Sequence, residues 1–374
     1  MKDNPLKKLE SLGQSIWLDY IRRDLFSSGK LRRLIDDDGL TGMTSNPSIF
    51  EKAIAESNIY DQDIREMALK KKEIKSIYEV LSQRDVQSAA DEFRSVYEKT
   101  DGKDGYVSLE VNPHLAHDTK GTIEEARRLW AALNRPNILI KVPATSDGLP
   151  AIQQLISEGI NVNVTLLFGL PRYRQVAEAY IAGLEARTAQ GKSVKHIASV
   201  ASFFVSRIDA LVDSLLEKLI KQGGPKADLA KTVQGQVAIA SAKMAYQIYK
   251  DIFGSDRFKK LVAKDACVQR LLWASTSTKN PDYSDVKYIE SLIGPDTINT
   301  VPPETIDAYR DHGNPKSSLE QDVEEASWIM ERLPELGINI DKVTQQLEDE
   351  GVKKFNEPFD KLMEALAQHN TGLR

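Results

Sequence analysis

The sequence predicts an α/β protein, a closed (β/α)₈ TIM barrel with extra helical insertions and a helical C-terminal extension. Three observations predict it. Eight short, β-branched runs recur along the 374 residues, each bounded by Gly, Pro, Asn or Asp. Segments with helical spacing separate them, as parallel neighbours require. The first run ends into Asp19-Tyr-Ile-Arg-Arg-Asp24, without the glycine-rich phosphate loop of an open dinucleotide-binding sheet.

The runs follow in order: residues 15–19 (SIWLD), 40–46 (LTGMTSN), 106–111 (YVSLEV), 137–142 (NILIKV), 160–168 (INVNVTLLF), 196–205 (HIASVASFFV), 268–275 (VQRLLWAS) and 296–301 (DTINTV). Between them the helical pattern is clearest after the sixth run. There Ile208, Leu211, Val212, Leu215, Leu216, Leu219 and Ile220 line one face. Ser48–Glu51 and Thr122–Glu125 match the capping box and predict helix starts. Pro171 suits a first helical turn, and Gly223-Gly224-Pro225 predicts a break before a second helix over residues 232–250. A prior of about 150 residues per domain suggests two or three domains. No Pro/Ser/Gly-rich linker divides this chain, so residues 1–374 are expected to form one elaborated domain. The barrel is expected over about 12–310 and the helical extension over about 311–374, with further helical patterns filling 47–100 and 208–260.

Composition excludes several classes. Fifty basic against 55 acidic residues give a formal net charge of −5, too balanced for a broad field toward nucleic acid or an anionic membrane. Cys267 is the only cysteine, which excludes an internal disulfide and a thiolate metal cluster and favours a reducing cytoplasm. The start lacks a secretory h-region and no run is apolar enough to span a bilayer. The five histidines form no convincing ligand set, so neither metal nor cofactor is expected. Trp17, Trp130, Trp273 and Trp328 read as packing residues, and homo-oligomerisation is left open.

Strands of a parallel barrel should be almost continuously apolar, and polar residues late in them point at the C-terminal mouth where barrel enzymes do chemistry. Asp19 ends the first run, Thr44 and Asn46 sit in the second, and Glu110 falls late in the third. Lys141 lies inside the fourth, while Asn161, Asn163 and Thr165 alternate along one face of the fifth, opposite Val162, Val164 and Leu166. Ser202 comes late in the sixth. Lys141 is the sharpest of these, set between Asn-Ile-Leu-Ile and Val-Pro-Ala-Thr. Burial disfavours the charged form of a lysine, and a desolvated amine can attack a carbonyl to form a Schiff base. The alternative is a structural lysine paired with Glu110. Asp19 taken alone reads first as a cap of the following helix, Asn46 could be a turn residue before Pro47, and Ser202 and Ser275 could sit quietly in the core. Arg207 opens the helix after the sixth strand, where a phosphate is readily held, or it forms a surface ion pair.

In these residues the chain resembles the transaldolase family, class I Schiff-base enzymes of the non-oxidative pentose phosphate pathway. The resemblance is carried by Thr44-Ser45-Asn46-Pro47-Ser48, by Ile138-Leu-Ile-Lys141-Val-Pro-Ala-Thr145 and by Gly159-Ile-Asn-Val-Asn163-Val-Thr165-Leu-Leu-Phe168. It runs from about Asn4 to the eighth strand, and the length is similar to the longer subgroup. It implies that Lys141 forms the Schiff base and that Asp19 takes the C4 hydroxyl proton. It also implies that Glu110 is the acid/base partner through a water that Thr165 positions. Asn46, Asn163 and Ser202 would hold the dihydroxyacetone unit and Arg207 the sugar phosphate. Thr44, Ser275 and Lys279 complete the expected substrate-binding set. One departure concerns the last of these. The shorter members carry a second phosphate-binding arginine just after Ala-Ser in strand seven, whereas here Ala274-Ser275 leads into Thr-Ser-Thr-Lys279. Lysine is a point cation without the planar fork.

The implied reaction moves a dihydroxyacetone unit from sedoheptulose 7-phosphate to glyceraldehyde 3-phosphate, giving erythrose 4-phosphate and fructose 6-phosphate. Two other readings stand beside it. One is a related lyase releasing free dihydroxyacetone, against which Glu110 counts, because those lyases carry a tyrosine there. The other is a non-catalytic barrel that binds sugar phosphates.

Overall fold

In a computed structural model describing residues 4–371, with side chains to residue 368, eight parallel strands close on themselves in sequence order. They are β1 (Gln14–Asp19), β2 (Leu40–Thr44), β3 (Tyr106–Glu110), β4 (Ile138–Pro143), β5 (Val162–Leu167), β6 (Ser199–Phe204), β7 (Arg270–Ala274) and β8 (Thr297–Val301). Each expected run therefore contains a strand, most of them shortened where flanking residues turn into loops, while β1 gains Gln14 and β4 gains Pro143. The expected barrel is the observed one. No helix of the described residues is long and apolar enough to cross a membrane.

Register places the polar residues. Asp19 pairs with Thr44 across β1 and β2, Glu110 with Lys141 across β3 and β4, and Lys141 with Asn163 across β4 and β5. These partners therefore share one layer near the C-terminal end of the barrel. The alternation expected along β5 breaks just above that layer. Leu166 adopts a left-handed φ of 55° and the register with β6 shifts between Val164 and Leu167. The irregularity follows Thr165 directly, as bulges beside active sites commonly do.

The opposite end of the barrel is closed by a buried ion pair. Arg270 lies 3.1 Å from Asp104 and also donates to the Thr297 carbonyl (2.8 Å), while the Trp17 indole donates to Asp104 at 2.7 Å. Trp17 fits because Gly42 opposite has no Cβ: one built there would meet Trp17 Cε2 at 2.4 Å.

Helix boundaries correct three expectations. The helix at residue 48 begins at Pro47 and is capped by Asn46, whose Oδ1 accepts from the Ile49 amide at 3.0 Å. Asn46 outcompetes Ser48 because Pro47 supplies a preset first-turn φ. Thr122 is likewise not a cap. Asp118 caps Thr119–Leu133, Thr122 donates to the Leu115 carbonyl, and Glu125 accepts from the Asn112 amide. The helix expected over residues 232–250 is two, Pro225–Val233 and Val237–Phe253, the second opening where Asp209 accepts from the Ala238 amide. Pro171 does fall in the first turn of Leu170–Ala189.

The insertion over residues 47–100 is a run of four helices, of which Ile74–Glu92 packs on β3. The C-terminal extension folds into Val323–Arg332 and the long Ile340–Thr371, which crosses the barrel mouth. It approaches β5 so closely that a Cβ on Gly351 would sit 2.9 Å from Leu166 Cδ2.

Candidate active site

Lys141 leaves β4 pointing into the C-terminal mouth, 5% exposed. Its Nζ donates to the Ser45 carbonyl at 2.9 Å and lies 3.5 Å from Glu110 Oε2. The ring of Phe355, from the C-terminal helix, has its centroid 5.9 Å from the same nitrogen. The apolar surroundings expected from the sequence are present, and so is the Glu110 pair.

Asp19 does not cap a helix. The next one, Asp24–Ser27, starts from Arg23, and Asp19 Oδ1 accepts from the Thr44 hydroxyl at 2.7 Å. Thr44 in turn lies 2.7 Å from the Thr300 hydroxyl on β8. Burial raises the Asp19 pKa above the ordinary aspartate value, with Lys141 and the Thr44 hydrogen bond pulling the other way. Such a carboxylate is a stronger base than an exposed aspartate.

Glu110 stands behind Lys141 and does not line the main cavity. It faces a recess of ≈ 20 Å³ shared with Tyr78, Ser82, Asn112 and Phe359. Neither carboxylate oxygen meets a hydrogen-bond geometry within the protein, so the contact with Lys141 is an ion pair at longer range. Burial pushes its pKa up to about 7, against the opposing pull of Lys141. The Thr165 hydroxyl is buried in the cavity wall, also without a hydrogen-bond partner within the protein.

Asn163 differs from its expected place. It is fully buried and off the cavity wall, with Oδ1 accepting from Ser202 (2.6 Å) and Nδ2 donating to Ser108 (3.0 Å). It braces Ser202, which does line the cavity. Asn161, on the same face, is spent at the barrel foot, donating to the Pro136 and Ile138 carbonyls.

The cavity measures ≈ 390 Å³ and joins Asp19, Thr44, Asn46, Lys141, Thr165 and Ser202 to Arg207, Ser275 and Lys279. Arg207 sits in the first turn of Ser206–Gln222 with its guanidinium 5.6 Å from the Phe204 ring centroid. Among the described residues it makes no ion pair and no side-chain hydrogen bond, so the surface-pair alternative does not hold. The turn carrying it is tied to the end of β7, where the Ser206 amide donates to the Ser275 carbonyl at 2.9 Å. Burial lowers the Lys279 pKa and the nearby Arg207 charge lowers it further. Two cations that repel each other thus line one cavity, with Asp19 and Glu304 of the same wall partly offsetting their charge, and the pair suits an anionic group.

Several wall residues were missed from sequence. Thr300 could have been found, since it is a polar residue late in the eighth run. Ser108, behind the wall, carries the same signal as a polar residue within the third run, whereas the Ser45 carbonyl and Phe355 carry none, because their positions depend on tertiary packing alone.

The chain is similar to known proteins over almost its whole length. The sequence model described as transaldolase/fructose-6-phosphate aldolase matches residues 16–366. A transaldolase of Trichodesmium erythraeum (strain IMS101) is 52% identical over 372 residues, covering 98% of each chain. Transaldolase 2 of Nostoc punctiforme is 51% identical over 372 residues, covering 98% of this chain and 97% of its own. A transaldolase of Frankia alni is 43% identical over 366 residues, with the same coverage.

Proposed function

We propose, from the premise that the chain belongs to the transaldolase/fructose-6-phosphate aldolase family and is a transferase of the transaldolase kind, that its chemistry runs through a Schiff base on Lys141. The observation that carries this is a buried Lys141, backed by Glu110, that opens into the same cavity as Asp19, Arg207 and Lys279.

This reading assigns the following steps. The Lys141 amine attacks the carbonyl of a ketose phosphate and water leaves, so a cationic imine forms in an apolar pocket. Asp19, made more basic by burial, removes the C4 hydroxyl proton and the C3–C4 bond breaks. Its electron pair flows into the imine, which becomes an enamine, and an aldose phosphate departs. Glu110, with a pKa near neutrality, is suited to move protons during imine formation and release. The ≈ 20 Å³ recess beside it has room for one water. The enamine carbon then attacks the aldehyde of the acceptor and the same steps run backward.

Sedoheptulose 7-phosphate and glyceraldehyde 3-phosphate are the substrates this reading assigns, with the phosphate held by Arg207, by the helix start it opens and by Lys279. Asn46, Thr44, Ser202 and Ser275 hold the sugar, with Asn163 supporting Ser202. No nucleic acid or membrane partner is assigned, and the compartment is the cytoplasm. Residues 1–374 are read as one unit; a continuous apolar core from Leu6 to Leu366 supports that.

Borohydride reduction in the presence of fructose 6-phosphate tests the mechanism. A stable adduct is expected on the peptide bearing Lys141. An adduct on another lysine, or none, overturns it. Donor cleavage that proceeds equally without acceptor aldose would assign the lyase reaction instead.

A further inference from the structure

The helix Ile340–Thr371 is fastened to the barrel mouth on both sides of Lys141. Before Phe355, Glu348 Oε2 lies 3.2 Å from Arg172 Nε, on the segment that follows β5. After it, Asp360 meets His114 Nε2 at 2.7 Å, on the segment that follows β3. The strand between those two is β4, which bears Lys141. The helix therefore bridges its neighbours and hangs Phe355 over the lysine, 5.9 Å from ring centroid to Nζ. Gly351 against Leu166 and Phe359 against Tyr78 (centroids 5.6 Å apart, edge to face) fix the helix further. Phe355 is 5% exposed and, among the described residues, is the one cavity-lining side chain that this helix contributes.

We propose that Phe355 determines transfer over hydrolysis: it covers the Lys141 adduct and denies water access to it while the three-carbon unit waits for an acceptor. The proposal rests on the Schiff-base reading of Lys141. At 5.9 Å from the ring centroid, Nζ is about one bond and one van der Waals contact from the ring, so a carbon bonded to it on that side packs against Phe355. In the competing reaction the enamine carbon takes a proton to give the cationic imine. Water then adds to the imine carbon, the C–N bond breaks with proton transfer to nitrogen, and dihydroxyacetone leaves the Lys141 ammonium. Water adds to the imine carbon at the end of either route, so the routes part at the enamine carbon, which takes a proton in one and the acceptor aldehyde in the other. An apolar ring that keeps water from the waiting enamine penalises that protonation and leaves the carbon–carbon bond-forming step untouched. A charge-bearing or polar residue in its place would bring water with it.

The test is a partition ratio, free dihydroxyacetone released per unit transferred, with fructose 6-phosphate as donor and erythrose 4-phosphate as acceptor. A ratio within one sample is independent of the folded fraction. Phe355→Ala should raise it about tenfold or more while borohydride still traps the adduct on Lys141, and Phe355→Leu should restore most of the wild-type ratio. If the alanine variant is insoluble, Phe355→Val is measured instead and should fall between. An unchanged ratio, or cleavage and transfer falling in equal proportion, overturns the proposal and leaves Phe355 as packing alone. Failure of the adduct to form on Lys141 in the wild-type protein overturns the underlying mechanism instead, so the two failures are distinct.

Discussion

Glu110 and Lys141 are register partners on neighbouring strands, and their side chains meet as an ion pair with Oε2 3.5 Å from Nζ, both almost wholly buried. The carboxyl pKa is raised to about 7, with burial as the largest cause. A folded-state value above the unfolded one means that the native state holds the proton longer. Stability from this group is therefore full below the unfolded pKa near 4.5 and declines as pH rises through about 7. Glu110→Gln should flatten that decline, each pK unit being worth about 1.4 kcal/mol. In activity it should lower kcat by about 10²–10⁴ and remove a limb of the pH–rate profile near neutrality, while borohydride trapping on Lys141 persists. A profile identical in shape to wild type would sink the acid/base role.

Removing the cation poses the opposite problem. Lys141→Met leaves Glu110 buried without its counter-charge, which costs about 3–5 kcal/mol when the carboxylate is ionised. The native state can escape by protonating Glu110, whose pKa then climbs further. Denaturant midpoints should therefore drop more at pH 8 than at pH 5.5, and Lys141→Met combined with Glu110→Gln should recover much of the loss at pH 8. A loss equal at both pH values, unrelieved in the double variant, would show that the pair's charge plays no part.

The barrel was legible because a parallel strand buried on both faces is apolar whatever its neighbours, so the polar exceptions at 19, 44, 110, 141, 165 and 202 stood out. Their convergence was legible too, since period-two geometry and parallel register align strand ends. Asn163 was harder: its type and face are those of a ligand-binding amide, but Ser108 and Ser202 from other strands consume its hydrogen bonds. The capping boxes at Ser48 and Thr122 failed to competitors two and four residues upstream, Asn46 and Asp118. Phe355 was out of reach altogether. Nothing local in residues 340–371 states that this helix will lie across β4.

Arg207 and Lys279 divide one anion between a planar fork and a point charge, and Lys279 is already deprived of hydration and repelled by its neighbour. Binding a phosphate relieves that repulsion. Lys279→Ala and Arg207→Ala should each raise KM for fructose 6-phosphate by about 10–100-fold, in line with the loss of a charge-assisted hydrogen bond, the arginine more because of its bidentate geometry. Turnover of unphosphorylated fructose should change little. Comparable losses on both substrates would place these cations outside the phosphate site.

Two glycine-to-alanine substitutions should behave oppositely, although each Cβ meets a neighbour. At Gly42 the new carbon falls 2.4 Å from Cε2 of Trp17, an indole that is fully buried and hydrogen-bonded to Asp104 at 2.7 Å. The ring cannot slide without breaking that bond, and Asp104 also carries the Arg270 ion pair that closes the barrel foot. Overpacking of about 1–3 kcal/mol then adds to a similar penalty for an unmade buried hydrogen bond. At Gly351 the contact is 2.9 Å to Cδ2 of Leu166, the free end of a side chain that can rotate away. Alanine also favours the helix there by about 1 kcal/mol over glycine. Urea denaturation should show Gly42→Ala several kcal/mol below wild type and Gly351→Ala close to it, on the order of 1 kcal/mol either way. A Gly42→Ala protein as stable as wild type would mean that the Trp17 indole is not held by Asp104.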